Sequence, residues 1–199
     1  KEAVRETILH TETFKRQTGG KGSYAQLAFQ ITPSDDEAKG LTFSSQVKGG
    51  AIPKEYISGA EKGFEIAMKN GAYGFPLEAL NVTILDGSAH TVDSDAMSFE
   101  ICAKRGFREA IRGAKVALLE PIMRVEIITP DEYVGSVSSD LNRRRAVVEQ
   151  VEAKIAFQTI KALVPLAEMF GYVTALRSLS SGRANYSMEF HSYAEVPAD

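Results

Sequence analysis

At 199 residues, with 44% hydrophobic and 25% charged side chains, the chain has the make-up of an ordinary globular protein, long enough for one large domain or two small ones. No apolar run approaches the roughly 20 residues that span a bilayer, the start Lys1–Glu6 lacks the apolar stretch of a secretory signal, and the single Cys102 excludes an intrachain disulfide, which suits a reducing cytoplasm. The net charge of −3 divides into 15 basic and 15 acidic residues up to 115 and 8 against 11 beyond it, so neither part is the polycation that wraps nucleic acid non-specifically.

The first informative stretch is Lys15-Arg16-Gln17-Thr18-Gly19-Gly20-Lys21-Gly22-Ser23-Tyr24, where three glycines sit among three cations. Glycine lets the main chain approach a ligand closely and take positive φ, so that backbone N–H groups can face an anion. The spacing is not that of a nucleotide-binding P-loop, which needs Gly, four residues, then Gly-Lys and Ser or Thr. The simplest reading is a turn between two strands. Leu27, Phe29 and Ile31 then alternate with polar neighbours, the signature of a half-buried strand, and Leu41 to Val47 is its expected partner.

Pro53 opens a helix with Ile57, Ala60, Phe64, Ala67 and Met68 on one face, ended at Asn70-Gly71. Leu77 to Leu85 reads as a strand, and Asp93 or Ser94 as the cap of a second helix carrying Met97, Ile101, Phe107 and Ile111. Cys102 falls in its apolar pattern and reads as a buried, inert thiol. Lys104, Arg105, Arg108 and Arg112 form its exposed face, either merely solvated or meeting a partner.

From Glu120 the order becomes strand, helix, strand, strand, helix, strand. Pro121 to Thr129 is extended, and Thr129-Pro130-Asp131-Glu132 starts a helix whose Val134, Val137 and Leu141 face inward. Ala146 to Glu152 and Ile155 to Val164 form a hairpin; Leu166, Met169, Phe170, Val173 and Leu176 belong to a helix closed by Gly182; Ala184, Tyr186, Met188 and Phe190 alternate in a last strand. That order is the split βαβ, ferredoxin-like sandwich, which implies no function by itself.

No catalytic constellation accompanies these elements. His10, His90 and His191 lie in unrelated segments without Cys partners at zinc-ligand spacing, and Asp35-Asp36-Glu37 sits in a polar loop where carboxylates stay solvated. An enzyme acting through these residues alone is not expected, and neither a metal nor a cofactor is called for.

Several blocks resemble the carboxy-terminal half of translation elongation factor G, in the same order. They are Val4-Arg5-Glu6-Thr7-Ile8, Gln17 to Tyr24, Val47-Lys48-Gly49-Gly50-Ala51-Ile52-Pro53, Leu118-Leu119-Glu120-Pro121-Ile122-Met123, Asp140-Leu141-Asn142-Arg143-Arg144-Arg145, Glu168-Met169-Phe170-Gly171-Tyr172 and Leu176 to Ala184. The resemblance implies an α+β chain of two domains. Residues 1–116 would be the factor's domain IV, a ribosomal-protein-like α/β domain with a left-handed βαβ crossover, and 117–199 its domain V, the ferredoxin-like sandwich. GTP and magnesium belong to an amino-terminal domain outside these residues.

The resemblance further implies a cytoplasmic, monomeric, ribosome-binding module that promotes translocation of tRNA and mRNA and has no membrane partner. Domain IV enters the decoding centre and meets the tRNA–mRNA duplex, and domain V leans on the large subunit near the sarcin–ricin loop and the stalk base. The contacting loops correspond to Gln17, Thr18, Gly19, Gly20, Lys21 and Gly22, and to Ser88 and His90, and the two should lie side by side. Arg143, Arg144 and Arg145 are either structural, pairing with Asp140 or Glu149, or contacts to rRNA. Ala89 stands where an aromatic residue is usual and Ala146 where a glycine commonly follows the arginines, which leaves open a paralogue acting in ribosome recycling or in protection against tetracycline.

Overall fold

The computed structural model describes residues 1–17 and 19–198. They divide into two units, Lys1–Leu118 and Leu119–Asp199, each with its own hydrophobic core. Among the described residues no helix is long and apolar enough to cross a membrane.

The first unit is built on a four-stranded sheet. Strand β1 (Glu2–Val4) pairs antiparallel with the start of β6 (Val116–Pro130). Strands β2 (Ile8–Arg16) and β3 (Ser23–Pro33) form a hairpin in register from Ile8↔Ile31 to Arg16↔Ser23, as the glycine-rich turn implies. Strand β5 (Leu80–Ser88) lies antiparallel to β3 and parallel to β4 (Leu41–Ser45), giving the order β2-β3-β5-β4. The segment at Leu41 is therefore a neighbour of β5 and not of β3. Period-two alternation fixes which face of a strand is buried and leaves its lateral neighbour open.

Helix α1 (Lys54–Ala67) makes the β4-to-β5 crossover, and α2 (Ala96–Arg112) follows β5. Leu27, Phe29 and Ile31 of β3 and Val82 and Ile84 of β5 are wholly buried in one cluster with Ala60 and Phe64 of α1 and Phe99, Cys102 and Phe107 of α2. The helices touch backbone to backbone. A Cβ at Gly59 would run into the Ala96 carbonyl, and one at Gly63 into that of Glu100, so only glycine permits this approach. Helix α2 is capped by Asp95, whose side chain accepts from the Ser98 N–H at 2.8 Å and the Ser98 hydroxyl at 2.7 Å. Asp93 and Ser94, the two expected caps, have other partners. Met97 is exposed, because the buried stripe of α2 runs through Phe99, Ala103, Phe107 and Ile111 instead.

In the second unit, β6 is followed by a 3-10 turn at Asp131–Tyr133, α3 (Val134–Arg143), β7 (Val147–Ala153), β8 (Phe157–Pro165), a 3-10 turn at Leu166–Glu168, α4 (Tyr172–Leu179) and β9 (Asn185–Glu195). The pairings β9-β6, β6-β8 and β8-β7 are all antiparallel, and this spatial order with two strand–helix–strand halves is the ferredoxin-like sandwich. Val125, Ile127, Ile160, Ala162 and Val164 meet Val137, Leu141, Tyr172 and Leu176 in the core.

Three local expectations differ. Thr129 donates its hydroxyl to the Pro130 carbonyl, and α3 begins through a 3-10 turn without a side-chain cap. Gly171 takes φ 75°, which no right-handed helix continues through, so α4 starts afresh at Tyr172 and leaves Phe170 80% exposed and Val173 partly exposed. Met188 and Phe190 lie on β9, an edge strand with no outer neighbour among the described residues, and stay exposed despite their alternation. Gly182 has the left-handed conformation expected of it, with φ 75°.

Candidate nucleic-acid interface

The turn joining β2 to β3 presents Gln17, Gly19, Gly20 and Lys21 at the surface, with Lys15 and Arg16 exposed at the end of β2. Gly19 and Gly20 have φ of 45° and 142°, and a Cβ on either would meet nothing within 4 Å. Their requirement is therefore conformational, and the space beside them is open to a ligand. Thr18, expected to contribute to the same turn, lies outside the described residues.

The segment between β5 and α2 is fastened alongside this turn. The Asp93 carboxylate accepts the Gly22 N–H at 3.1 Å, and the Asp93 carbonyl accepts the Tyr24 N–H at 2.8 Å. Ser94 donates its hydroxyl to the Tyr24 carbonyl at 2.7 Å while accepting the His90 N–H at 2.8 Å. The Tyr24 hydroxyl and Ser88 Oγ lie 2.8 Å apart, and the Tyr24 ring is stacked against the His90 imidazole. His90 itself is exposed and Ser88 half-buried. The two expected loops are thus side by side, joined through Tyr24, Asp93 and Ser94. Sequence reasoning passed over Tyr24 as a joining residue, since a tyrosine opening a strand carries no local signal for a partner 66 positions away.

The electrostatics are mixed and local. Lys15, Arg16 and Lys21 are exposed cations in and beside the turn, and Lys21 acts on Asp95 across the gap to α2. Hydrogen bonds from the Ser98 hydroxyl and N–H hold the Asp95 carboxyl below its usual range, with a smaller contribution from Lys21. Exposed backbone, short polar side chains, three cations and a stacked imidazole suit contact with the sugar–phosphate edge of RNA, which is recognised by shape and hydroxyl contacts. Burial pushes the Cys102 thiol up to about 12, and its Sγ donates to the Glu12 carbonyl. Among the described residues no cluster of three or more His, Cys, Asp or Glu could hold a metal ion.

The arginine triplet at the end of α3 separates into three situations. Arg144 pairs with Asp140 at 2.9 Å, donates to the Glu168 carbonyl and lies over the Tyr172 ring. Arg145, at φ 59°, pairs with both Glu120 oxygens and with Glu168, which holds its guanidinium firmly protonated; Glu149 is not a partner. Arg143 is exposed without an ion pair among the described residues. Of the three, it alone presents a guanidinium to an incoming anion.

The model of elongation factor G domain IV matches residues 1–115, and that of the elongation factor G C-terminus matches residues 117–199. The chain belongs to the elongation factor G family. It is 50% identical over its whole length to elongation factor G of Cytophaga hutchinsonii, 49% identical to that of Karelsulcia muelleri, also over its whole length, and 48% identical over 99% of the chain to that of Amoebophilus asiaticus. A crystal structure from Thermus thermophilus superposes on 99% of the chain with a TM-score of 0.87 and 36% identity, covering 29% of that protein. The chain spans 28% to 29% of the length of these elongation factor G relatives. Both fastened loops fall in the domain IV match, and the arginine triplet falls in the C-terminal match.

Proposed function

We propose that this chain is the ribosome-engaging part of a translational GTPase that drives GTP-dependent movement of tRNA and mRNA in the cytoplasm. The paired loops enter the decoding centre of the small subunit, where Gln17, Thr18, Gly19, Gly20, Lys21 and Gly22 together with Ser88 and His90 meet the tRNA–mRNA duplex. The C-terminal unit leans on the large subunit near the sarcin–ricin loop and the stalk base, with Arg143 available to rRNA. GTP and magnesium are held by another part of the full-length protein, and this part works as a monomer without catalytic groups of its own.

The observation that supports this most is the fastening of the two loops by the Tyr24–His90 stack and the Asp93 clasp. It gives a polar, backbone-rich surface a fixed shape, as recognition of an RNA helix by shape demands. The test is His90→Ala in the full-length protein. Loss of about 1.4 kcal/mol of contact would slow translocation about tenfold, while ribosome-dependent GTP hydrolysis stays near its normal rate. Unchanged translocation rejects the loop assignment. Subunit splitting in the presence of a recycling factor, measured alongside, separates a translocase from a recycling paralogue.

A further inference from the structure

The C-terminal end of α2 borders a cavity of about 470 Å³ that the paired loops do not use. It is lined by the apolar Ile111, Ala114 and Val116, by Arg108 and Arg112 of α2, and by Asn70 and Tyr73 of the segment between α1 and β5. That segment is held in place. The buried Glu2 carboxylate accepts the N–H groups of Tyr73 and Phe75, and a side chain at Gly71 would collide with it.

Arg108 and Arg112 are four residues apart on one helix face, where like charges repel. Arg112 is partly neutralised by Glu109 at 2.9 Å, whereas Arg108 has no ion pair among the described residues. The lining therefore carries one uncompensated guanidinium, and the Glu2 carboxylate is already occupied by backbone donors. Tyr73 is 59% exposed beside it. A guanidinium fork matches the oxygens of a phosphate, an exposed phenol can stack on a flat ring, and the cavity has the size of a site for a small ligand. We infer that this cavity is a second nucleic-acid contact, binding one nucleotide of single-stranded RNA with its phosphate on Arg108 and its base on Tyr73. It is separate from the paired loops, because the 17-residue α2 puts about 25 Å between its two ends.

The experiment uses the 199-residue chain and three probes: inorganic phosphate, adenosine monophosphate and a labelled single-stranded RNA octamer. The Nε–Hε resonance of Arg108 is expected to shift with all three. Arg108→Gln should weaken octamer binding about tenfold, the loss of one charge-assisted contact pair, and Tyr73→Ala should weaken the octamer and the mononucleotide while leaving the phosphate response intact. Both positions are exposed, and a thermal melt confirms that each variant is folded. His90→Ala should leave the Arg108 shifts unchanged, so this site and the loop assignment stand or fall separately. A silent Arg108 resonance, octamer binding indifferent to Arg108→Gln, or equal displacement by an acidic peptide of the same charge overturns the inference.

Discussion

The imidazole of His90 lies flat on the phenol ring of Tyr24, with centroids 3.5 Å apart and planes within 3° of parallel. The pair ties a loop after β5 to the first residues of β3, and the Tyr24 hydroxyl adds a contact to Ser88. Tyr24→Ala removes both. Stacking contributes about 0.5–1.5 kcal/mol and the hydrogen bond about 1, so a loss of about 2 kcal/mol in urea unfolding is expected. Tyr24→Phe should recover the stacking share. Hydrogen exchange at residues 90–94 reports the loosening directly; unaltered exchange in Tyr24→Ala would mean that the stack does not fasten the loop.

Asp93 and Gly22 make the second tie. Asp93→Ala frees the Gly22 N–H and should cost about 1–2 kcal/mol, as charge-assisted bonds to backbone do. Gly22→Ala is expected to be worse tolerated than Gly20→Ala in space, since its Cβ would sit 3.0 Å from the Arg16 carbonyl oxygen, whereas that of Gly20 meets nothing. Gly20→Ala should destabilise through its positive φ alone, by about 1 kcal/mol. Chemical denaturation of the three variants gives the comparison.

Asp95 sets a dependence on pH. Its folded carboxyl titrates below its ordinary value of 3.8, chiefly because the Ser98 hydroxyl and N–H bond the charged form. A depressed folded value means that the stabilisation is present above the unfolded value and is lost as pH falls through the folded one. Unfolding midpoints between neutrality and about pH 3 should therefore fall less steeply in Asp95→Asn than in the parent. At neutral pH, Asp95→Ala should cost about 1 kcal/mol, the usual value of an N-cap.

The three consecutive arginines should rank Arg144, Arg145, Arg143 in their effect on stability when each is changed to alanine. Arg144 loses an ion pair, a bond to the Glu168 carbonyl and its place over Tyr172 in a half-buried setting, about 2–3 kcal/mol together. Arg145 loses exposed pairs to Glu120 and Glu168, about 1 kcal/mol. Arg143→Ala should fall within about 0.5 kcal/mol of the parent, and its effect should appear only in ribosome binding. A large loss of stability in Arg143→Ala would refute the division.

Much of this was legible in the sequence because burial is periodic. Leu27, Phe29 and Ile31, Ala60 and Phe64, and Ile160, Ala162 and Val164 are all buried where their spacing placed them. Lateral order was not legible. Nothing in Leu41 to Val47 says that β5 will run beside it, since a strand's alternation encodes a face and its neighbour is chosen by the crossover that α1 makes. Caps misled for a related reason. Asp93, Ser94 and Asp95 are all good N-cap residues, and tertiary partners on β3 and in the first turn took the first two. In the site, the glycine-rich turn announced itself by composition, whereas Tyr24, which positions His90, did so by nothing local.

Strand β5 lies between β3 and β4 and bonds to both. The hairpin of β2 and β3 is made before β5, so the outer edge of β3 has no strand beside it until a segment about 50 residues later has arrived between the two earlier strands, even though α1, which packs on Phe29, is already made. An apolar strand must therefore wait, half-paired, while β4 and α1 are made, and closure of long loops is what limits folding rates in such topologies. The last strand to be delivered to this sheet is one of its two central ones, so without β5 neither β4 nor the outer edge of β3 has a neighbour in it: the sheet completes when β5 is inserted or it stays open.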